Sequence, residues 1–178
     1  MDHGAGRSDR SAFVRTADLC LAEQLLVWGM RAWVDHFKRG EALCSVYQRA
    51  FQKIGAPEAA DHLSELLGLV AMGAVRSIDV RCQPCPALSD DEAAIIEAIA
   101  RSQRGTGAAF HLGLLDFVDR ATAETAVIPI VRIGMAFFDA DQVLPLRGLA
   151  ENRKTAESAG AAPGGTSCCS DPGAALIH

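Results

Sequence analysis

Apolar residues recur every three or four positions along three successive segments, with glycine or proline marking the boundaries. From about Thr16 to Arg39 the stripe is Ala22, Leu25, Leu26, Gly29, Trp33 and Phe37, and Gly40 follows. From about Glu41 to Ile54 it is Leu43, Val46, Tyr47, Ala50, Phe51 and Ile54, and Gly55 follows. Pro57 and Glu58 suit a helical first turn, and Leu63, Leu66, Leu67, Val70 and Ala74 make a third stripe. That period puts each set on one face of a helix, so the chain must bury helix faces against one another. The short connections predict antiparallel neighbours. Gly29 predicts a close approach of a second helix, because glycine inside a helix otherwise costs about 1 kcal/mol relative to alanine.

The pattern then changes. Ser77-Ile78-Asp79-Val80-Arg81-Cys82 alternates polar and apolar, as a strand does. A lone strand leaves its backbone groups unpaired, so the segment pairs elsewhere, pairs across a dimer, or runs as an extended surface link. The extended link is the favoured reading. Ser89-Asp90-Asp91-Glu92 spells a capping box, and its acidic residues suit a positive helix end. A fourth helix continues through Ile95, Ile96, Ile99, Ala100 and Gln103, until Arg104-Gly105-Thr106-Gly107 breaks it. A fifth is predicted over about Ala108 to Arg120. A sixth covers about Ala123 to Ala140, capped by Thr122, with Ile130, Ile133, Gly134 and Phe137 on one face. Pro129 predicts a kink in it.

The expected fold is therefore all-α: a single bundle-like domain of about six helices over residues 13–147, with an extended Cys-x-x-Cys link between helices three and four. Residues 1–12 read as a flexible leader. Residues 148–178, rich in Ala, Gly, Ser, Thr and Pro, read as a disordered tail, because such a composition buries too little apolar surface to offset chain entropy. A chain of 178 residues can bury a core large enough to fold without disulfides or metal. Its 49% hydrophobic content comes largely from small and aliphatic residues, with only 6% aromatic, which agrees with helix.

Charge and composition narrow the function. The net charge is −5 and the basic residues are dispersed, so no footprint for nucleic acid or an anionic membrane is expected. The apolar stretches around Leu25–Val34 and Leu66–Val75 fall short of the roughly 20 residues that span a bilayer. The polar N-terminus lacks a signal-peptide apolar region, which predicts a cytoplasmic protein with reduced cysteines.

The candidate chemistry lies at Cys82 and Cys85. Two cysteines at this spacing form a small disulfide or half of a tetrahedral site for zinc or iron. The rest of such a site is weakly represented: Cys168 and Cys169 are adjacent, and His62 and His111 are isolated. The predicted N-cap Ser89 lies four residues beyond Cys85, too far for the helix dipole to activate the thiol. Asp90, Asp91 and Glu92 read as capping residues rather than as catalytic carboxylates. No catalytic residue and no cofactor is assigned. Trp28 and Trp33 are candidate anchors for a partner, although core packing accounts for both more simply. Together these features predict a non-catalytic interaction or regulatory protein that binds a protein partner or itself. A thiol-based sensor or metal-binding protein using Cys82 and Cys85 is the alternative, and a small enzyme with an inter-helical pocket is a third.

Overall fold

A computed structural model of the chain describes residues 14–43, 45–105 and 107–148, and the backbone of Ala175–Ile177. Among them are six α-helices: α1 (Leu21–Arg39), α2 (Ser45–Lys53), α3 (Glu58–Met72), α4 (Asp90–Ser102), α5 (Arg120–Thr125) and α6 (Val127–Asp139). Strands β1 (Ile78–Val80) and β2 (Ala175–Ile177) make a short antiparallel pair. The helical expectation holds.

The first three stripes pack into one core, except that Phe37 and Val46 are exposed. Gly40 ends α1 with φ near +65°, the left-handed conformation that glycine adopts without strain. Tyr47 and Phe51 of α2 and Leu63, Leu66, Leu67 and Val70 of α3 are fully buried in one core with Leu26 and Met30 of α1. A Cβ at Gly29 would sit 2.9 Å from Leu63 Cδ2 and 3.0 Å from Phe51 Cζ, so the predicted close approach is real. The most extensive helix contact, however, joins α3 to α6 rather than to its sequence neighbours. Ile130, Ile133, Gly134 and Phe137 form the buried face of α6, and Phe137 meets Phe51 edge-on at 6.4 Å.

Several boundaries move, each for a local reason. The first helix does not begin at Thr16. A 3-10 turn, Thr16–Asp18, precedes an extended Leu19, and α1 starts after Cys20, whose amide donates to Glu23 Oε2 at 2.8 Å. Cys20 is thus a helix cap, and burial pushes its thiol pKa up. The fifth segment is a 3-10 helix, Gly107–Asp116, and not an α-helix. Asp119, not Thr122, caps the next one. Its carboxylate accepts from the Thr122 amide at 2.9 Å and hydroxyl at 2.7 Å, which holds the Asp119 carboxyl below its usual range. The expected kink is a break at Ala126 between α5 and α6. It places Pro129 in the first turn of α6, where a missing N–H is tolerated.

The link between α3 and α4 is the main correction. Ile78 and Val80 are buried, and β1 pairs with β2 in the register Ile78↔Ile177, Asp79↔Leu176, Val80↔Ala175. The alternating segment is a strand, and its partner lies at the far end of the chain. The expected leader over 1–12 and the remainder of the expected tail fall outside the described residues. Residues after the cysteine turn also pair: the Thr16 amide donates to Pro86 O at 2.8 Å and the Leu88 amide to Val14 O at 3.0 Å.

The close approach at Gly29 generates a paired prediction. Gly29→Ala should lower stability by about 1–3 kcal/mol in urea unfolding, because the methyl overpacks against Leu63 and Phe51. Gly68→Ala, on α3 with open space around the added methyl, should be neutral or stabilising by about 0.5–1 kcal/mol.

Candidate functional site

The turn carrying Cys82 and Cys85 is built onto a buried ion pair. Arg31 lies in the middle of α1, flanked by Met30 and Ala32, and its side chain is only 2% exposed. Its Nε donates to Glu92 Oε1 at 2.7 Å and its Nη2 to Glu92 Oε2 at 3.0 Å. The same guanidinium donates to Cys85 O at 2.6 Å and Ala87 O at 2.8 Å. Burial disfavours its charge, but the hydrogen bond and charge of Glu92 outweigh that, with smaller help from nearby Cys85 and Cys82, and hold Arg31 above its ordinary pKa.

Glu92 is saturated. Besides the two Arg31 bonds it accepts from the Ser89 amide at 2.9 Å and the Arg81 amide at 3.2 Å, four donors for the four lone-pair positions of a carboxylate. The Glu92 amide in turn donates to Ser89 Oγ at 3.1 Å, completing the predicted capping box, and Ser89 Oγ also donates to Asp79 O. Asp91 is used in the same way: it accepts from Arg76 Nη2 at 2.6 Å, Arg76 Nη1 at 2.9 Å and the Asp79 amide at 2.8 Å. Asp79 itself is pushed up by burial, reinforced by Glu92, Asp91 and Asp90, while Arg81 at 3.0 Å opposes the shift. The acidic start of α4 therefore does more than cap. It ties α1, β1 and the cysteine turn to one helix end.

Within that frame the turn closes on itself. The Cys85 amide donates to Cys82 O at 3.0 Å. Cys85 is buried and Cys82 is exposed, and both are thiols rather than a disulfide. Among the described residues, no group of three or more His, Cys, Asp or Glu side chains gathers in a way that could hold a metal ion. His62 faces Glu65 at 3.6 Å on α3, and Cys168 and Cys169 lie outside the described residues. Trp28 is half-buried and is brought near the cysteine turn: Gln83 Nε2 donates to Trp28 O at 3.3 Å. Together with Thr16, Gln24 and Arg31 these residues line an open hollow of about 220 Å³. The Arg31 guanidinium is committed to Glu92 and two carbonyls, so the hollow has little charge to offer a ligand. A second hollow of about 200 Å³, between Arg76, Arg81 and Ser89, is bordered by the equally committed Asp91. Trp33 is elsewhere. It is buried, stacked at 4.9 Å on the exposed Phe37.

The other feature of note is the outer face of α6. Ile128 (55% exposed), Met135 (59%) and Phe138 (57%) line it, with partly exposed Val131 between them. The run Arg120–Asp139 is also long and apolar enough by composition to cross a membrane, a property missed by inspecting only the two apolar stretches in the first half of the chain. In this fold one side of α6 is core, and 39% of the apolar window is buried. Sequence reading also missed the buried charges Glu23, Arg31, Asp91 and Glu97. The signal for Arg31 was present: it is the one charge inside the apolar run Leu25–Val34.

No protein-family model matches the chain, and neither a curated protein nor a solved structure matches it.

The energetics of the ion pair are testable. Removing one partner strands a buried charge, so Glu92→Leu or Arg31→Met alone should cost about 3–5 kcal/mol in denaturant unfolding. The double variant should cost clearly less than the sum of the two. Cys82→Ser with Cys85→Ser should shift stability by only about 1–2 kcal/mol, because Arg31 binds the Cys85 carbonyl and not its thiol.

Proposed function

We propose that this protein is a non-catalytic protein-interaction module whose docking surface is the outer face of α6. The observation that carries the reading is the line of Ile128, Val131, Met135 and Phe138 along a helix whose opposite face is already in the core. Single exposed apolar side chains are ordinary on a folded protein, but a contiguous line of four is what interaction surfaces look like. The rest of the chemistry fits a scaffold. The carboxylates of Asp91 and Glu92 and the guanidinium of Arg31 are engaged by structural partners, and groups so engaged hold a fold rather than turn over a substrate.

One observation favours a second reading, a thiol-responsive regulator. The Cys82–Cys85 turn touches the buried ion pair directly through Arg31 and the Cys85 carbonyl. Any reshaping of that turn, by disulfide formation or by metal, would reach the core through this contact.

Affinity capture of the full chain from a native cell extract, quantified by mass spectrometry, distinguishes these ideas. A protein retained in near-stoichiometric amount, whether a second copy or another chain, should be lost with Met135→Glu/Phe138→Glu while the thermal midpoint stays within a few degrees. Retention that ignores this variant but responds to diamide, and fails to respond in Cys82→Ser/Cys85→Ser, would move the function to the thiol turn.

A further inference from the structure

We infer that α6 pairs with α6 of a second copy, antiparallel, about a two-fold axis near Met135. This rests on the docking reading above and names the partner. Three observations converge on it.

The first is spacing. Ile128, Val131, Met135 and Phe138 follow one another at intervals of three, four and three. That is the alternation of the two apolar positions of a heptad, the seam along which two helices interlock. The buried face of the same helix, Ile130, Ile133, Gly134 and Phe137, is already filled by the core, so the seam is a second and independent one.

The second is charge. Arg132 and Asp139 are the only ionised side chains on α6, and both are exposed. Neither has a hydrogen bond or ion pair with any described residue. Elsewhere on the surface the chain does pair such groups along a helix, as in Arg39–Asp35 and Arg120–Glu124. Here it leaves one of each sign without a partner, beside an apolar stripe.

The third is geometry. Seven residues separate Arg132 from Asp139, so they occupy the same heptad position on the same flank of the stripe. Two antiparallel helices related by a two-fold axis in their interface keep that flank on the same side and reverse its direction. Placing the axis midway between the two residues, beside Met135, sets Arg132 of each copy opposite Asp139 of the other. The contact is isologous, and each unpaired charge finds its complement twice over. A parallel arrangement would carry the Arg132–Asp139 flanks of the two copies to opposite sides of the seam, and neither charge would meet its complement.

The seam is short, since α6 spans 13 residues, so the dimer is reversible and depends on concentration. An exchangeable pair of this kind lets the same face take another helix of similar pattern when one is present.

Sedimentation of the full chain over a wide concentration range, with circular dichroism as the fold control, tests the inference. Wild type should show a monomer–dimer equilibrium. Arg132→Asp and Asp139→Arg should each weaken dimerisation about tenfold or more, because each homodimer then carries two like-charge contacts. Mixing the two variants should restore dimerisation as a heterodimer. One variant then carries two carboxylates on that flank and the other two guanidiniums, so every contact across the seam is between opposite charges. Dimers indifferent to both reversals, or singly weakened dimers that mixing does not restore, would overturn the antiparallel pairing. So would a wild-type monomer at every concentration, even one that captures another protein through Phe138, in which case the docking reading stands and only its partner is wrong. Flotation of the chain with uncharged phosphatidylcholine vesicles that is abolished by Met135→Glu would overturn it in favour of a lipid-facing helix.

Discussion

The bond between Arg31 and Glu92 is the point on which the rest of this structure hangs. Desolvating two ions costs several kcal/mol each, and their attraction compensates only when every remaining donor and acceptor is met. Glu92 meets that condition by accepting four hydrogen bonds, and Arg31 by adding two backbone carbonyls to its carboxylate partner. Each of those bonds specifies a piece of the fold. The amides of Ser89 and Arg81 fix where α4 begins and where β1 ends. The carbonyls of Cys85 and Ala87 fix the course of the cysteine turn. Hydrophobic burial is non-directional, and the guanidinium fork meeting a carboxylate adds a directional constraint on how α1 sits against α4. The same logic recurs near the start of α1, where Arg147 donates to buried Glu23 at 2.8 and 2.9 Å.

Much of the helical framework is legible in the sequence because it depends on local chemistry. Stripes at helical period, Gly40 after α1, Pro57 before α3 and the Ser89–Glu92 box each require only neighbours in sequence. Gly29 announces a helix contact through the cost of keeping a glycine there. Features that depend on a distant partner are not legible in this way. The alternation in Ser77–Cys82 shows a strand but not that Ala175–Ile177 pairs with it, since a composition rich in small and turn-forming residues surrounds that apolar end. Asp91 and Glu92 read only as capping residues, because their burial is decided by Arg76, Arg31 and backbone groups outside α4, and the burial of Glu23 likewise depends on the distant Arg147. The 3-10 helix Gly107–Asp116 reads as an α-helix because its apolar content fits both.

The cysteine pair illustrates how position changes the meaning of a motif. By spacing alone, Cys82 and Cys85 suit metal or disulfide chemistry. In the fold they bracket a turn whose backbone is the second attachment point of Arg31. The prolines at 84 and 86 restrict that backbone, so the carbonyls are held ready for the guanidinium with little entropy left to lose. Structural duty accounts for the turn, and the apolar line on which the docking reading rests lies on α6, well away from it in sequence.

The partners of the α1 charges also bear on how the chain comes into being. Arg31 lies 61 residues before Glu92, and Glu23 lies 124 residues before Arg147. On a ribosome, α1 therefore emerges with a cation and an anion meant for burial and with neither counter-ion yet synthesised. Packing the first three helices over either ion before its partner exists would bury an unpaired charge, so that packing becomes favourable only once the partner has been made. The separation between the two halves of each ion pair thus sets how much of the chain must exist before α1 can be buried without an unpaired charge.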